Sequence, residues 1–387
     1  MATIGIDVTA LATPASGGMG AAQYCTMHAL AELDTPHRFV MYAARPPLVP
    51  FSRRPLDLAW PLRLGTGLTA RRNIVWMQTG VNRLLAEDGV DVFWGPRHLL
   101  PFRAPGVATV ATVHDFWERY YPGQQPWPNR AANRVLVAKV VACADVVVTP
   151  SSATARDVVR FCDPPLGKLR VVPWGVDPAV FRPLTSERVS VALARMGVER
   201  PYVLALDVFN PRKNFGAVIR AVARLQGGPA QTIEVVALGR PRSTAVGAAW
   251  QADADSAGLG SRLRLPGDVD RDDLAALYSG ALALAYPSLY EGFGLPVLEA
   301  MACGCPVITS DRSSLPEVAG DAALLVDPSR SDLLAEAITE VAADDGARAR
   351  FISAGRDRAR RFTWQRTAEE MMEAFEQALV ANARGSR

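Results

Sequence analysis

The sequence predicts an α/β protein built from two parallel-sheet domains in tandem. Three observations carry this. Short β-rich runs alternate with helical patterns along the chain, one turn-rich stretch interrupts the alternation, and the alternation then starts again. A chain of 387 residues is also too long for one ordinary core and suits two.

In the first half, strands are expected at Thr3–Val8, Arg38–Tyr42, Asp91–Trp94, Val107–Val113, Val146–Thr149 and Leu169–Val172. Val107–Val113 is almost wholly apolar or β-branched, as a strand covered on both faces should be. Helices are expected at Ala21–Glu32, Trp76–Glu87, Asn129–Ala142 and Ser152–Phe161, the last with serine hydroxyls at its start to cap free amides. Pro173-Trp174-Gly175-Val176-Asp177-Pro178 and Phe181-Arg182-Pro183 read as the linker, followed by a short helix near Glu187–Met196. Strands then recur at Tyr202–Leu206, Ile233–Leu238, Leu263–Leu265, Ala281–Ala285, Pro306–Thr309 and Ala323–Val326, with helices between them and at the end. The expected boundaries are 1–174 for the first domain, 175–198 for linker and short helix, 199–362 for the second domain, and 363–387 for a closing helix.

Apolar residues make up 49% and charged residues 21%, the balance of a globular protein without membrane spans. The longest apolar candidate, Val135–Val148, is broken by Lys139 and Asp145. The N-terminus reads as a first strand with no basic leader. Five scattered cysteines argue for a reducing, cytoplasmic setting, and Cys303-Gly-Cys305 lacks a nearby second pair for a metal. The net charge is +3, but residues 1–184 hold 19 Lys and Arg against 13 Asp and Glu. That excess is too diffuse for a nucleic-acid groove. Arg53, Arg54, Arg63, Arg71 and Arg72 around Trp60, Leu62, Leu64 and Leu68 have the composition of a peripheral contact with anionic lipid, or of a solvated face with core anchors.

The chemistry-bearing stretch is Pro287-Ser288-Leu289-Tyr290-Glu291-Gly292-Phe293-Gly294-Leu295-Pro296-Val297-Leu298-Glu299-Ala300-Met301-Ala302. A strand ends just before it, and a glycine loop opens a helix at Pro296, a residue suited to a first helical turn. Helix-start amides with Gly292 and Gly294 let an anion approach, and Glu299 could accept from vicinal hydroxyls such as those of a ribose. Asn210-Pro211-Arg212-Lys213-Asn214 puts two cations at a strand-to-helix turn, where they suit a diphosphate whose charge grows as a bond breaks. As exposed cations they should contribute little to folding. Ser16-Gly17-Gly18-Met19-Gly20 reads as a glycine turn before a helix, and Thr112-Val113-His114-Asp115 ends a buried strand where ligands of such sheets bind. His98 also follows a strand end. Asp253-Ala254-Asp255 and Asp268-Val269-Asp270 fall in a helix and a turn, so no catalytic metal is expected.

Glu291 to Glu299, with Gly-Phe-Gly-Leu-Pro between, resembles the E-x7-E signature of the retaining GT-B glycosyltransferases of family 4. The likeness continues through Ala302–Val307 and Ser314–Ala323 and thins over the rest of the chain. It implies a GT-B fold, two Rossmann-like domains facing each other across a cleft, and a retaining, metal-independent hexosyltransferase needing no cofactor beyond its nucleotide sugar. It implies that Glu291 lies against the donor sugar and Glu299 holds the ribose. Arg212 and Lys213 would hold the pyrophosphate, His114 would touch the donor sugar with Asp115 as the substrate-binding partner of that His-Asp pair, and Gly17 and Gly18 would reach the phosphates and acceptor. Gly292, Phe293, Gly294 and Leu295 would complete the donor loop. One departure stands out: Asp207 occupies a position that is usually glycine in the family. Gly95–Pro101 resembles mannosyl- and rhamnosyl-type enzymes of surface polysaccharide assembly, which favours GDP-mannose over a UDP-sugar and a glycan, lipid-linked or small-molecule acceptor at the inner face of the membrane. The competing readings are a nucleotide-sugar epimerase of similar architecture, a nicotinamide dehydrogenase, for which Ser16–Gly20 lacks the required glycine pattern, and a non-catalytic sugar-binding protein.

Overall fold

The computed structural model describes residues 1–12, 17–47, 59–65, 73–124, 127–165, 167–199, 201–225, 229–240 and 244–385. Ser16, Arg53, Arg54, Leu68, Arg71 and Arg72, named above, lie outside these described residues. The chain divides into two compact units, Met1–Gly175 with Thr363–Arg387, and Val176–Phe362.

The first unit carries seven parallel strands: β1 (Thr3–Asp7), β2 (Arg38–Ala43), β3 (Leu62–Leu64), β4 (Val92–Gly95), β5 (Ala108–Thr112), β6 (Val146–Thr149) and β7 (Leu169–Val171). Their spatial order is β3-β2-β1-β4-β5-β6-β7. Alternate side chains enter two cores, as the two-residue period of a strand demands. Ile4, Ile6, Trp94, Val110 and Val148 pack one face with Tyr24, Met27 and Leu30 of the helix Gly17–Glu32 and with Met371 and Phe375 of the closing helix Trp364–Gly385. Tyr42, Phe93, Ala111, Val113 and Val147 pack the other with Trp76, Met77, Val140 and Val141. Gly175 precedes the crossing into the second unit, and a Cβ there would stand 2.2 Å from the Trp364 backbone nitrogen, so only glycine fits.

The second unit carries six parallel strands: β8 (Tyr202–Leu206), β9 (Glu234–Leu238), β10 (Leu263–Gly267), β11 (Ala283–Tyr286), β12 (Val307–Ser310) and β13 (Leu324–Val326). Their order is β10-β9-β8-β11-β12-β13. Val203, Ala205, Val235, Ala237, Ala283 and Ala285 form its core with Val218, Ile219 and Val222 of the helix Phe215–Ala223 and Leu334, Ile338 and Val341 of Ser331–Ala343. This unit also takes in the helix Ser186–Arg195, which ion-pairs through Arg195 with Asp273.

Three local expectations are corrected. The first helix begins at Gly17 rather than Ala21, so Gly17 and Gly18 form its first turn instead of a preceding loop. The helix expected over Trp76–Glu87 opens with a π-turn at Trp76–Gly80, preceded by a short helix from Asn73. That wider turn brings Trp76 and Met77 into the core together, at 1% and 0% exposure. Leu62-Arg63-Leu64 is the edge strand β3, with Trp60 stacked on Phe39 and Arg63 paired with Glu87 and Asp88. Among the described residues of that basic cluster, Trp60 and Arg63 have these partners, while Leu62 and Leu64 are each 39% exposed.

Candidate active site

Strand order decides where the site sits. In the second sheet the chain runs outward from β8 through β9 to β10, then returns to place β11 on the other side of β8. Beyond the carboxyl ends of two such strands their loops diverge and leave a crevice. The loop after β8 carries Arg212 and Lys213, and the loop after β11 carries Glu291. In the first sheet the equivalent point lies between β1 and β4, whose following segments hold Gly17, Gly18 and His98, while His114 and Asp115 follow the neighbouring β5.

The β8 loop is built tightly. Asn210 caps the short 3-10 turn Pro211–Lys213, its side-chain oxygen accepting from the Arg212 amide at 3.2 Å. Asn214 takes the left-handed conformation (φ 55°) and opens the helix Phe215–Ala223. Its carboxamide donates to the Pro328 carbonyl at 2.7 Å and the Pro287 carbonyl at 3.3 Å. The Arg212 carbonyl accepts from the Leu289 amide at 2.8 Å, which ties the two loops together, and the Ser288 hydroxyl oxygen lies 3.0 Å from the same carbonyl.

At their meeting point sits a buried charge knot. Glu291 Oε1 accepts from Lys213 Nζ at 2.7 Å, Ser288 Oγ at 2.6 Å and Tyr286 Oη at 3.0 Å. Lys213 Nζ also donates to Tyr286 Oη, and Arg212 lies 3.6 Å from Glu291 Oε2. The Lys213 and Glu291 side chains are only 8% and 7% exposed. Burial pushes the Glu291 carboxyl up, but the charges of Lys213 and Arg212 and the bonds from Lys213 and Ser288 outweigh it and hold the group at about 2. The expectation of two exposed cations is therefore corrected: Lys213 is buried and paired, because the β8 turn points it at the β11 loop, while Arg212 keeps 19% exposure.

The glycine loop is held from a third segment. The Glu291 amide donates to Ser313 Oγ at 2.9 Å, and Ser314 Oγ lies between the carbonyls of Glu291 (2.9 Å) and Phe293 (2.6 Å), with one proton to donate to either. Gly294 has φ 120°, and a Cβ there would lie 2.9 Å from Leu315. The Phe293 ring packs against Phe362, so this residue and buried Leu295 anchor the loop through their side chains. The helix runs Leu295–Ala302, with Pro296 in its first turn and Gly304 left-handed after its end.

Glu299 has separate partners. Its Oε2 accepts from Tyr278 Oη at 3.2 Å. Burial raises its carboxyl to about 7 against the pull of Arg271 and the Tyr278 bond. The structure thus joins Arg212, Lys213 and Glu291 directly and leaves Glu299, about one turn into the helix Leu295–Ala302, with a different partner. In the first unit, His114 is 6% exposed and its Nε2 donates to the Pro96 carbonyl. That bond places the proton on Nε2, and burial lowers the ring to about 4, so it is neutral. The ring borders a cavity of about 20 Å³ with Gln23, Thr26, Thr112 and Trp174, room for one water. Asp115 accepts from the Trp117 amide at 3.2 Å.

Sequence reasoning missed Tyr286, Ser288, Tyr278, Ser313 and Ser314. Tyr286 had a readable signal, a polar-tipped aromatic at the carboxyl end of an apolar strand. The serines had none, since their role depends on packing between segments. The two Asp-x-Asp stretches have structural explanations: Asp270 caps the helix Arg271–Gly280, Asp268 pairs with Arg240, and Asp255 accepts from Gln251. Among the described residues no group of three or more His, Cys, Asp or Glu is placed to hold a metal ion.

Two parallel-sheet units, one of them with a two-cation turn beside a buried carboxylate at its switch point, have the architecture of the GT-B fold. Comparison agrees. Residues 195–358 match the model of "Glycosyl transferases group 1" and residues 16–180 that of "Glycosyltransferase Family 4". The chain belongs to the family 4 (group 1) GT-B glycosyltransferases. It is 28% identical over 284 residues to O-antigen chain mannosyltransferase B of Escherichia coli, covering 73% of this chain and 74% of that one. It is 32% identical over 292 residues to a D-inositol 3-phosphate glycosyltransferase of Salinispora arenicola, covering 71% and 65%. Sucrose-phosphate synthase of Thermosynechococcus elongatus superposes with a TM-score of 0.77 at 22% identity, over 98% and 100% of the two chains. HepE of Anabaena, solved with UDP-glucose, gives 0.76 at 16% identity, over 97% and 100%.

Proposed function

We propose that this glycosyltransferase moves a hexose from a nucleotide-diphosphate sugar to a glycan, lipid-linked or small-molecule acceptor, with retention of configuration and without a metal. The observation that carries the proposal is the knot of Arg212, Lys213 and Glu291 at the carboxyl edge of the second sheet. The second unit binds the donor and the first the acceptor. The acceptor oxygen attacks the anomeric carbon from the face the diphosphate leaves, the bond to the leaving oxygen breaks, and the acceptor proton passes to that oxygen. Arg212 and Lys213 stabilise the charge that gathers on the diphosphate. Glu291 bonds the donor sugar, Glu299 the ribose, and neutral His114 of the first unit also touches the sugar.

GDP-mannose is the favoured donor, supported by the E. coli mannosyltransferase and the Gly95–Pro101 stretch. A UDP-sugar is the alternative, given the UDP-glucose bound by the Anabaena neighbour. Contact with the inner face of the membrane belongs to the same proposal. On the helix Trp127–Cys143, Trp127 and Val135 are 70% and 69% exposed, and Arg130, Arg134 and Lys139 are its charged residues. No helix among the described residues is long and apolar enough to cross a membrane. The test is a panel of nucleotide sugars with EDTA present, the first-formed product read by proton NMR. An inverted linkage, or turnover that needs an added divalent cation, would sink the mechanism.

A further inference from the structure

Asp207 stands where the family resemblance leads one to expect glycine, and the structure shows what the carboxylate touches. It stands directly after β8 with φ 50°, a left-handed conformation that glycine adopts freely and aspartate at a modest cost. Its Oδ2 accepts from Asn210 Nδ2 at 3.1 Å. The same carboxamide presents its oxygen to the Arg212 amide at 3.2 Å, and the Asn210 amide donates back to the Asp207 carbonyl at 2.9 Å. A carboxamide can turn over and exchange its oxygen for its nitrogen. An acceptor on the nitrogen side prevents this, because the turned group would set two oxygens against each other and its NH2 against the Arg212 amide.

We infer that Asp207 is a positioning residue: it locks the Asn210 cap in the orientation that shapes the Arg212–Lys213 turn for a nucleoside diphosphate. The inference rests on the donor-site reading above. Asp207 does not bind the anion itself. Its charge opposes anion binding, and it acts through Asn210 and the turn that Asn210 caps. Those two effects carry opposite signs, which makes the role measurable.

The experiment titrates UDP and GDP calorimetrically into the full-length wild type, Asp207→Gly and Asp207→Asn, with melting temperatures measured alongside. Glycine keeps the backbone conformation and removes both acceptor and charge. Asparagine keeps an acceptor and tolerates φ above zero, but removes the charge. Asp207→Gly should bind the preferred diphosphate about three- to tenfold more weakly, the worth of one net hydrogen bond, with its melting temperature held. Asp207→Asn should return to wild-type affinity or exceed it. An Asp207→Gly variant that binds as tightly as wild type, or more tightly, overturns the positioning role, since charge removal alone predicts that result. Asp207→Asn as weak as Asp207→Gly overturns it too. A wild type that binds neither diphosphate overturns the donor-site reading itself, and the inference with it.

Discussion

Removing the Lys213 ammonium should unsettle the fold as well as the chemistry, and the pH dependence of that loss is a demanding check on the buried knot. In the wild type the Glu291 carboxyl is held at about 2 instead of its ordinary 4.5. The difference corresponds to about 3 kcal/mol, in line with the roughly 3–5 kcal/mol seen when one partner of a buried pair is removed. That stabilisation is present above pH 4.5 and is lost as pH falls towards 2. In Lys213→Met the burial of Glu291 remains, and only Arg212 at 3.6 Å opposes it, so its folded pKa rises. The variant's deficit should then be largest at neutral pH, about 3 kcal/mol by urea unfolding, and should shrink as pH drops towards 4.5 and Glu291 protonates. Lys213→Met/Glu291→Gln should recover much of the loss at pH 7. A Lys213→Met deficit below about 1 kcal/mol that is flat from pH 4.5 to 7.5 would refute the pairing.

How much of this was legible without coordinates varies by scale. The strands were, because a parallel sheet covered on both faces makes each strand a short apolar run, and Tyr202–Leu206 and Val146–Thr149 fall where the sequence puts them. β3 was not, because an edge strand of three half-exposed residues has no apolar run to see. The π-turn at Trp76–Gly80 was equally hidden, since it leaves the helical spacing nearly intact. At the site, residue identities were readable from Glu291, Arg212 and Lys213, but their burial was not. Basic residues in a turn look solvated until the end of a neighbouring strand, 73 residues on, supplies Tyr286 to cover Lys213. The same limit applies to Asp207, whose carboxylate has meaning only once Asn210 is seen to face it.

Three further outcomes test the division of labour around the donor. Arg212→Ala should slow turnover on the order of a hundredfold, as for other lost charge-stabilising donors. Glu299→Ala should weaken the nucleoside diphosphate by roughly 1.5–3 kcal/mol, whereas Glu291→Ala should impair transfer without weakening it, because Lys213 is released. Equal losses of diphosphate affinity in the two variants would erase the distinction between a sugar end and a ribose end. The last outcome follows from the raised Glu299 carboxyl at about 7. Only the ionised form accepts from both ribose hydroxyls, so diphosphate affinity should fall as pH drops through 7, by up to about tenfold per pH unit below it. The diphosphate's own terminal proton titrates near pH 6, so the quantity to read is the difference in slope between wild type and Glu299→Gln, whose neutral amide cannot titrate. Glu299→Gln should also be the more stable protein at pH 8, because a carboxyl raised above its unfolded value costs stability once it is forced to ionise. Identical slopes from pH 6 to 8 in the two proteins would remove Glu299 from the ribose, whatever it contributes to the helix that carries it.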